Sequence, residues 1–477
     1  MYKKFLRGPG AVFIKRAPGR RRHKTVICIF LLLVALVCCK IKNGGQSPGE
    51  DETLTEQQKQ LVRELNQWLI PLGFSPLDLT DNELSFLDGL KEAKIVGLGE
   101  ATHGTREFFQ MKHRVFQYLV QYCQHKAIGF EADFAESIYI NNYVTRGEGD
   151  LEELMRTVMQ YWSLKTGEIK ELLEWMKDYN TGKGDEEKIH YFGFDCKHTT
   201  YQPDLLQEYF LRTVPALWQT FSPVLEQVRN LSDYNYQVMP EETYNSIKTQ
   251  LESLENQLIA NREQLIYNSS SREYEINKQL LKTFKQAFIV LYHRYSGRSN
   301  INWRDRFMAE NARWIVDFFG QDTKITLWAH NGHIARDPDY IGDGSIGYHL
   351  YETFNNQYQA VGFGFSQGSF TALATGQQGS YTEPEIHQIT IDPRNDSINL
   401  IFHHASHKNF VFHLDAIPGG SQWDNWLSQQ RPFLMIGAGY DGDPDDCYRV
   451  LDIRGHYNWI IYFDSTNATI LLVSCQC

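Results

Sequence analysis

Four short apolar runs, far apart along the chain, each stop on an acid or a histidine. KIVGLGE ends on Glu100, KAIGFE on Glu131, KIHYFGFD on Asp195 and KITLWAH on His330. All four are rich in Val, Ile or aromatic residues and lack polar alternation, which is the pattern of strands buried on both faces of a parallel sheet. In such sheets the ligand crevice lies beyond the carboxyl ends of the strands. The pattern therefore predicts one cleft that gathers two glutamates, an aspartate and a histidine from distant segments.

The surrounding sequence supports a layered α/β fold with a mostly parallel sheet. A helical lead over Glu56–Leu72 precedes strand 94–100, a helix over Arg106–Cys123, strand 126–131, helices through Asn180, and strand 188–195. Residues 199–315 break this rhythm: the stretch is helix-forming, with heptad-like runs such as IKTQLESLENQLIANREQL. It reads as a helical insertion of two long antiparallel helices and shorter flanking ones, which caps one side of the sheet and could serve as a lid. Strands return with ITLWAH, YQAVGFGF, NFVFHLDA, RPFLMIGAGY and NWIIYFDST, and SFTALATG with HQITID suggests a small hairpin.

Charge is uneven over the 477 residues. Residues 1–49 hold eleven Lys or Arg and no acid, and 50–477 carry 36 basic against 58 acidic side chains, a net charge of −22. An acidic body excludes nucleic acid as a partner, because phosphate binding needs a basic footprint. The head instead reads as an export signal: a basic stretch over 1–25, then the apolar segment Val26–Cys39, then a polar linker over 40–59. Positive charge on its amino side predicts that the body, 60–477, lies outside the cytoplasm. Whether the segment is cleaved, retained as a membrane anchor or acylated at Cys38 or Cys39 stays open, as does oligomeric state. Five cysteines follow the head with no CxxC or zinc spacing, so a zinc-ribbon or thioredoxin reading fails. Asn230, Asn268, Asn395 and Asn467 occupy glycosylation sequons.

The first run continues as GEATHGTREFFQMKHR, which adds His103, Arg106 and Lys112 to Glu100; the fourth continues as HNGHIAR, which adds His333 to His330. A carboxylate beside a histidine fixes the tautomer of an imidazole base and stabilises the imidazolium. A buried Glu131 requires a partner, and His103, Arg106 and Lys112 are the candidates. Asp195 fits a structural salt bridge, and Asp133 or Glu136 a helix N-cap. His403, His404 and His407 read as an exposed loop. With no G-x-S-x-G elbow, covalent serine chemistry is not indicated, and histidine-activated water is the mechanism such a cleft supports. A metal or haem site using His103, His330 and His333 is the competing reading, and a non-catalytic surface binding protein a third.

GLGEATHGTREFF, IGFEADFAESIYINNYV, YFGFD, RDRFMAEN, WAHNGHIA and SIGYHL…YQAVGFGF, in that order, resemble the erythromycin esterase family over roughly residues 60–470. The resemblance implies an αβα-layered body with a helical insertion, and metal-independent hydrolysis of a macrolide-type lactone or other carboxylic ester. It implies His103 as general base, Glu100 and Glu131 as the essential glutamates, and His330 and His333 as groups acting on the carbonyl or the leaving alkoxide. Arg106 and Lys112 are carried over as substrate-binding residues. Lys112 stands where the family usually has Arg, which keeps the charge but loses the bidentate geometry. No cofactor is implied, and the expected partner is a small ester.

Overall fold

Six strands predicted from the apolar runs lie side by side and parallel at the centre of the computed structural model, which describes residues 54–231, 238–296, 302–375, 381–390 and 393–472. In chain order the strands are β1 (Ile70–Pro71), β2 (Ile95–Leu98), β3 (His125–Asp133), β4 (His190–Asp195), β5 (Lys324–Trp328), β6 (Tyr358–Thr375), β7 (Tyr381–Ile389), β8 (Asn409–His413), β9 (Arg431–Leu434), β10 (Gly439–Tyr440), β11 (Tyr448–Leu451) and β12 (Trp459–Thr466). The main sheet runs β1-β8-β12-β6-β2-β5-β3-β4; its stretch from β12 to β4 is parallel, while β1 and β8 add an antiparallel edge. The chain enters at β2, moves outward to β3 and β4, then returns to place β5 and β6 on either side of β2. That reversal creates a crevice at the carboxyl ends of β2 and β5.

Both faces of the central strands are buried, which explains the absence of polar alternation. Val96, Leu98, Ile128 and Phe130 join one apolar core with the Arg106–Cys123 helix. Ile95, Ala127, Ile325 and Leu327 join the other, together with the helices of the 199–315 region. The result is helices on both sides of a sheet, an αβα sandwich.

The helical region resolves into segments at Gln202–Thr213, Pro215–Val228, Glu241–Ala260, Arg262–Tyr267, Ser271–Ser296 and Trp303–Phe319. Tyr244, Ile247, Leu251, Leu254 and Leu258 make a buried stripe at three- and four-residue spacing, which holds the Glu241–Ala260 helix in place. The Trp303–Phe319 helix packs on β4 and leads into β5.

Several boundaries move for identifiable reasons. The helical lead ends at Trp68 rather than Leu72, because Ile70 and Pro71 pair with β8 and proline cannot extend a helix. YQAVGFGF and SFTALATG are one strand, β6, whose far half pairs with β7 as a hairpin. RPFL leaves the main sheet to form a two-stranded ribbon with β11. Asp133 precedes its helix as N-cap but makes no capping bond; its carboxylate instead takes the backbone N–H groups of Lys197 and His198 and the His198 ring. His403 closes a short helix and hydrogen-bonds Asp464 at 2.7 Å rather than lying in an exposed loop. The basic head, the apolar segment, most of the linker, Cys475 and Cys477 lie outside the described residues. Cys123, Cys196 and Cys447 are free thiols, and no helix among the described residues is long and apolar enough to cross a membrane.

Candidate active site

Strand register brings the chemistry together. Leu98 and Phe130 both pair with Trp328, so Glu100 and His330, each two residues beyond, and Glu131, one beyond, emerge at the same level. A one-residue bulge in β3, between Phe130 and Asp133 opposite β4, redirects the chain at Glu131. The turn after β2 passes so close to the HNGH segment that a Cβ on Gly99 would lie 2.1 Å from the Asn331 side chain. Asn331 in turn bonds the Phe363 backbone through both ends of its amide, and its N–H donates to the Glu100 carbonyl. Both histidine-bearing loops are therefore anchored to β6.

His103 Nδ1 lies 2.6 Å from Glu100 Oε1, and Lys112 Nζ donates to Glu100 Oε2. Burial pushes the Glu100 carboxyl up, but Lys112 and the His103 bond more than offset it and hold the group below its ordinary value. An ionised acceptor requires the hydrogen on His103 Nδ1. Nε2 is then the lone-pair nitrogen, and His103 lines a cavity of about 680 Å³.

Lys112 is wholly buried, 4.4 Å from the centre of the Trp328 ring, and burial lowers its ammonium to about 8. Expected to meet substrate, it lies beneath Glu100 and is absent from the residues lining this cavity. Arg106 was expected to bind substrate as well. Its Nε pairs with Glu168 at 3.4 Å, and it does not line the cavity.

Glu131 does not use His103, Arg106 or Lys112. Its Oε1 takes Arg304 Nη2 at 2.9 Å and lies 3.3 Å from His333 Nε2, while Oε2 accepts the His330 backbone N–H at 3.0 Å. Arg304 also forks onto Asp195, at 2.9 and 2.6 Å, and Tyr161 adds a bond to the same carboxylate. His333 Nδ1 donates to Asp305 at 2.7 Å. Arg304 Nη1 lies 3.1 Å from His333 Nε2, a bond open only to a neutral ring. Burial also disfavours the charge, yet Asp305 and Glu131 outweigh both effects and raise His333 well above its usual value. The same network holds Glu131 well below the carboxylate range despite its burial.

His330 behaves in the opposite way. Its Nδ1 accepts the Gly332 N–H at 3.1 Å and its Nε2–H donates to the Ile436 carbonyl at 3.3 Å. Burial first, then the neighbouring His103, lower it to about 3. Both ring nitrogens, expected to act on substrate, are engaged by backbone groups here. The ring instead forms a wall, 5.1 Å from that of His103. Imidazole NMR between pH 5 and 8 should show His330 neutral as the Nε2–H tautomer and His333 still protonated at pH 7. A His330 titration midpoint above 6 would contradict this assignment.

Sequence reasoning gave no role to Arg304, Asp305 or Asn331. The signal was a charged Arg-Asp-Arg triplet opening a helix within RDRFMAEN, but nothing local says that Arg304 and Asp305 turn inward. The helical insertion was read as a cap on one side of the sheet that could also serve as a lid. None of the described residues between 199 and 296 lines the cavity, whose remaining wall comes from residues 335–340 and 430–457.

The fold and cleft define a layered α/β protein with a buried imidazole–carboxylate site at the carboxyl edge of its sheet. A family model described as erythromycin esterase matches residues 120–466, and the chain belongs to that family. The matched region contains Glu131, Arg304, His330 and His333, while Glu100, His103 and Lys112 precede it. Relatives include erythromycin esterase type II of Escherichia coli, 21% identical over 59% of this chain and 71% of the relative. Type I from the same organism is 24% identical over 60% and 74%. A Bacillus cereus crystal structure superposes with a TM-score of 0.76 at 22% identity, over 87% of this chain and 99% of that one. A mutant of the erythromycin esterase EreC in its open conformation does so at 0.63 and 19%, over 84% and 97%.

Proposed function

We propose that the protein hydrolyses a lactone or other carboxylic ester by water activated at His103. The observation that carries this reading is the Lys112–Glu100–His103 chain, which leaves one imidazole nitrogen without a partner among the described residues at the cavity wall. In the proposed step, His103 Nε2 takes a proton from water as the oxygen attacks the ester carbon. The proton then passes to the alkoxide as the C–O bond breaks. Glu100 holds the imidazolium that forms in between, and positioned base catalysis of this kind typically contributes ~10²–10⁴-fold. Glu131 organises His330 and His333 around the base, so all three act as positioning residues.

A cavity of about 680 Å³ accommodates a drug-sized molecule. Tyr457, Met435 and Leu451 offer it apolar surface, which suits a bulky macrolide-type ester. The metal or haem reading is disfavoured by bonding: His103 Nδ1 and both nitrogens of His330 and His333 are engaged by protein partners. We also propose that the basic and apolar head directs the body out of the cytoplasm.

The test is a hydrolysis panel on the full-length protein, with macrolides, simple lactones and aryl esters, run with and without a chelator. Ester cleavage that survives chelation is expected. A folded protein that cleaves none of them, or one that loses activity together with a stoichiometric metal ion, overturns the reading.

A further inference from the structure

Attack on an ester makes the carbonyl oxygen negative, and none of the residues discussed so far has a free donor for it. Lys112 lies beneath Glu100, and His330 and His333 spend their N–H groups on Ile436, Asp305 and Glu131. Arg336, also on the cavity wall, gives Nη2 to the carbonyls of Arg454 and Tyr457, and its Nε, which has no partner among the described residues, is buried away from the cavity surface. The geometry points to Tyr340 as the catalytic hydroxyl that meets this oxygen, an inference that rests on the ester-hydrolase reading above.

Tyr340 lines the same cavity as His103, His330 and His333. Its ring stands edge-on to His333, with centroids 5.4 Å apart. It lies directly on the HNGH turn: a Cβ on Gly332 would come within 2.9 to 3.1 Å of its Cε2, Oη and Cζ atoms, so a side chain there would have to push the ring aside. The hydroxyl makes no hydrogen bond to any described residue.

The loop that carries Tyr340 is held rigid. Ser345 closes its base, donating its N–H to the Asp337 carbonyl at 2.9 Å and its hydroxyl to the Ala335 carbonyl. Next to Tyr340, Ile341 adopts φ 48° and ψ 32°, a left-handed conformation that a β-branched residue rarely takes. The residue is 64% exposed, so burial of the isoleucine does not compensate the strain. Strain of this kind persists where the surroundings over-determine a position, as at catalytic sites. Burial raises the phenol above its ordinary value, partly offset by the His333 charge, which keeps the O–H a donor at neutral pH.

The step balances without proton loss from Tyr340. Water loses a proton to His103 Nε2, its oxygen bonds the ester carbon, and the carbonyl π pair moves to the oxygen, which accepts the Tyr340 O–H. The pair then returns, the bond to the alkoxy oxygen breaks, and the alkoxide takes the proton from His103.

Tyr340→Phe in the full-length protein tests this, since phenylalanine keeps the ring on Gly332. Expected is a fall in kcat of about 10²–10³-fold, with KM changed less than about threefold, an unaltered thermal midpoint, and the same loss for aryl and alkyl leaving groups. A kcat within about threefold of wild type overturns the assignment, as does a loss that grows with leaving-group basicity. If His103→Ala abolishes turnover while Tyr340→Phe does not, only this inference fails; if neither matters, the hydrolase reading fails with it. A phosphonate ester that mimics the tetrahedral anion gives a second readout independent of turnover. Its affinity should drop at least about tenfold in Tyr340→Phe, and unchanged affinity overturns the proposal.

Discussion

His103→Ala should lower kcat/KM for ester hydrolysis by about 10²–10⁴-fold while the protein stays folded. The expectation of a sound fold has a specific basis. Glu100 keeps its ion pair with Lys112 when the imidazole is gone, so no buried carboxylate is orphaned. His330, which packs against the removed ring, holds its own place through Gly332 and Ile436. Initial rates beside a calorimetric melt make the check, and wild-type kcat/KM in the folded variant would refute the base assignment. Lys112→Met should behave differently, because it strands Glu100 and so attacks stability and base strength together.

Arg304→Met is predicted to have the largest effect on stability, a loss of about 3–5 kcal/mol in chemical denaturation. The methionine fills the space but leaves Asp195 without its bidentate partner and removes the bond from Arg304 to Glu131. Both carboxyls are held below their ordinary values in the native protein, Arg304 more than offsetting burial at Asp195 and contributing after His333 at Glu131. A lowered carboxyl stabilises above its unfolded-state value and loses that contribution as pH falls through the folded one. The gap between variant and wild type should therefore be full at neutral pH and shrink below about pH 4, where the unfolded carboxyls are protonated. A loss under about 1 kcal/mol at pH 7, or a gap independent of pH, would show that the network is not held by this guanidinium.

The two predictions draw on different kinds of legibility. Glu100 and His103 are three residues apart on one turn, and their bond is nearly local. Once β2 is recognised by its apolar run, the acid–imidazole pair follows. Glu131 is the contrary case. Its burial requires a counter-charge, but the three candidates nearest in the motif were passed over for Arg304, 173 residues away. A strand pattern records that a side chain is buried and not which helix N-terminus is folded against it. His330 and His333 show the same divide. Three residues apart in one motif, they read alike, yet one is committed to backbone groups and neutral while the other is flanked by two carboxylates and charged.

By itself, then, the sequence determined the layered α/β class, where along the chain the central parallel strands fall, the helical region between β4 and β5, and the fact that acids and histidines leave the sheet at one edge. These follow from apolar periodicity and turn residues, which act over a few positions. The tertiary structure alone decided that Lys112 lies under the site rather than in it, that RPFL leaves the sheet, that Arg304 and Asp305 organise the acids, and that Tyr340 faces the cavity from a strained loop. Each of those depends on which of several charged or apolar partners comes nearest in space, and that competition is settled by packing between elements far apart in the chain.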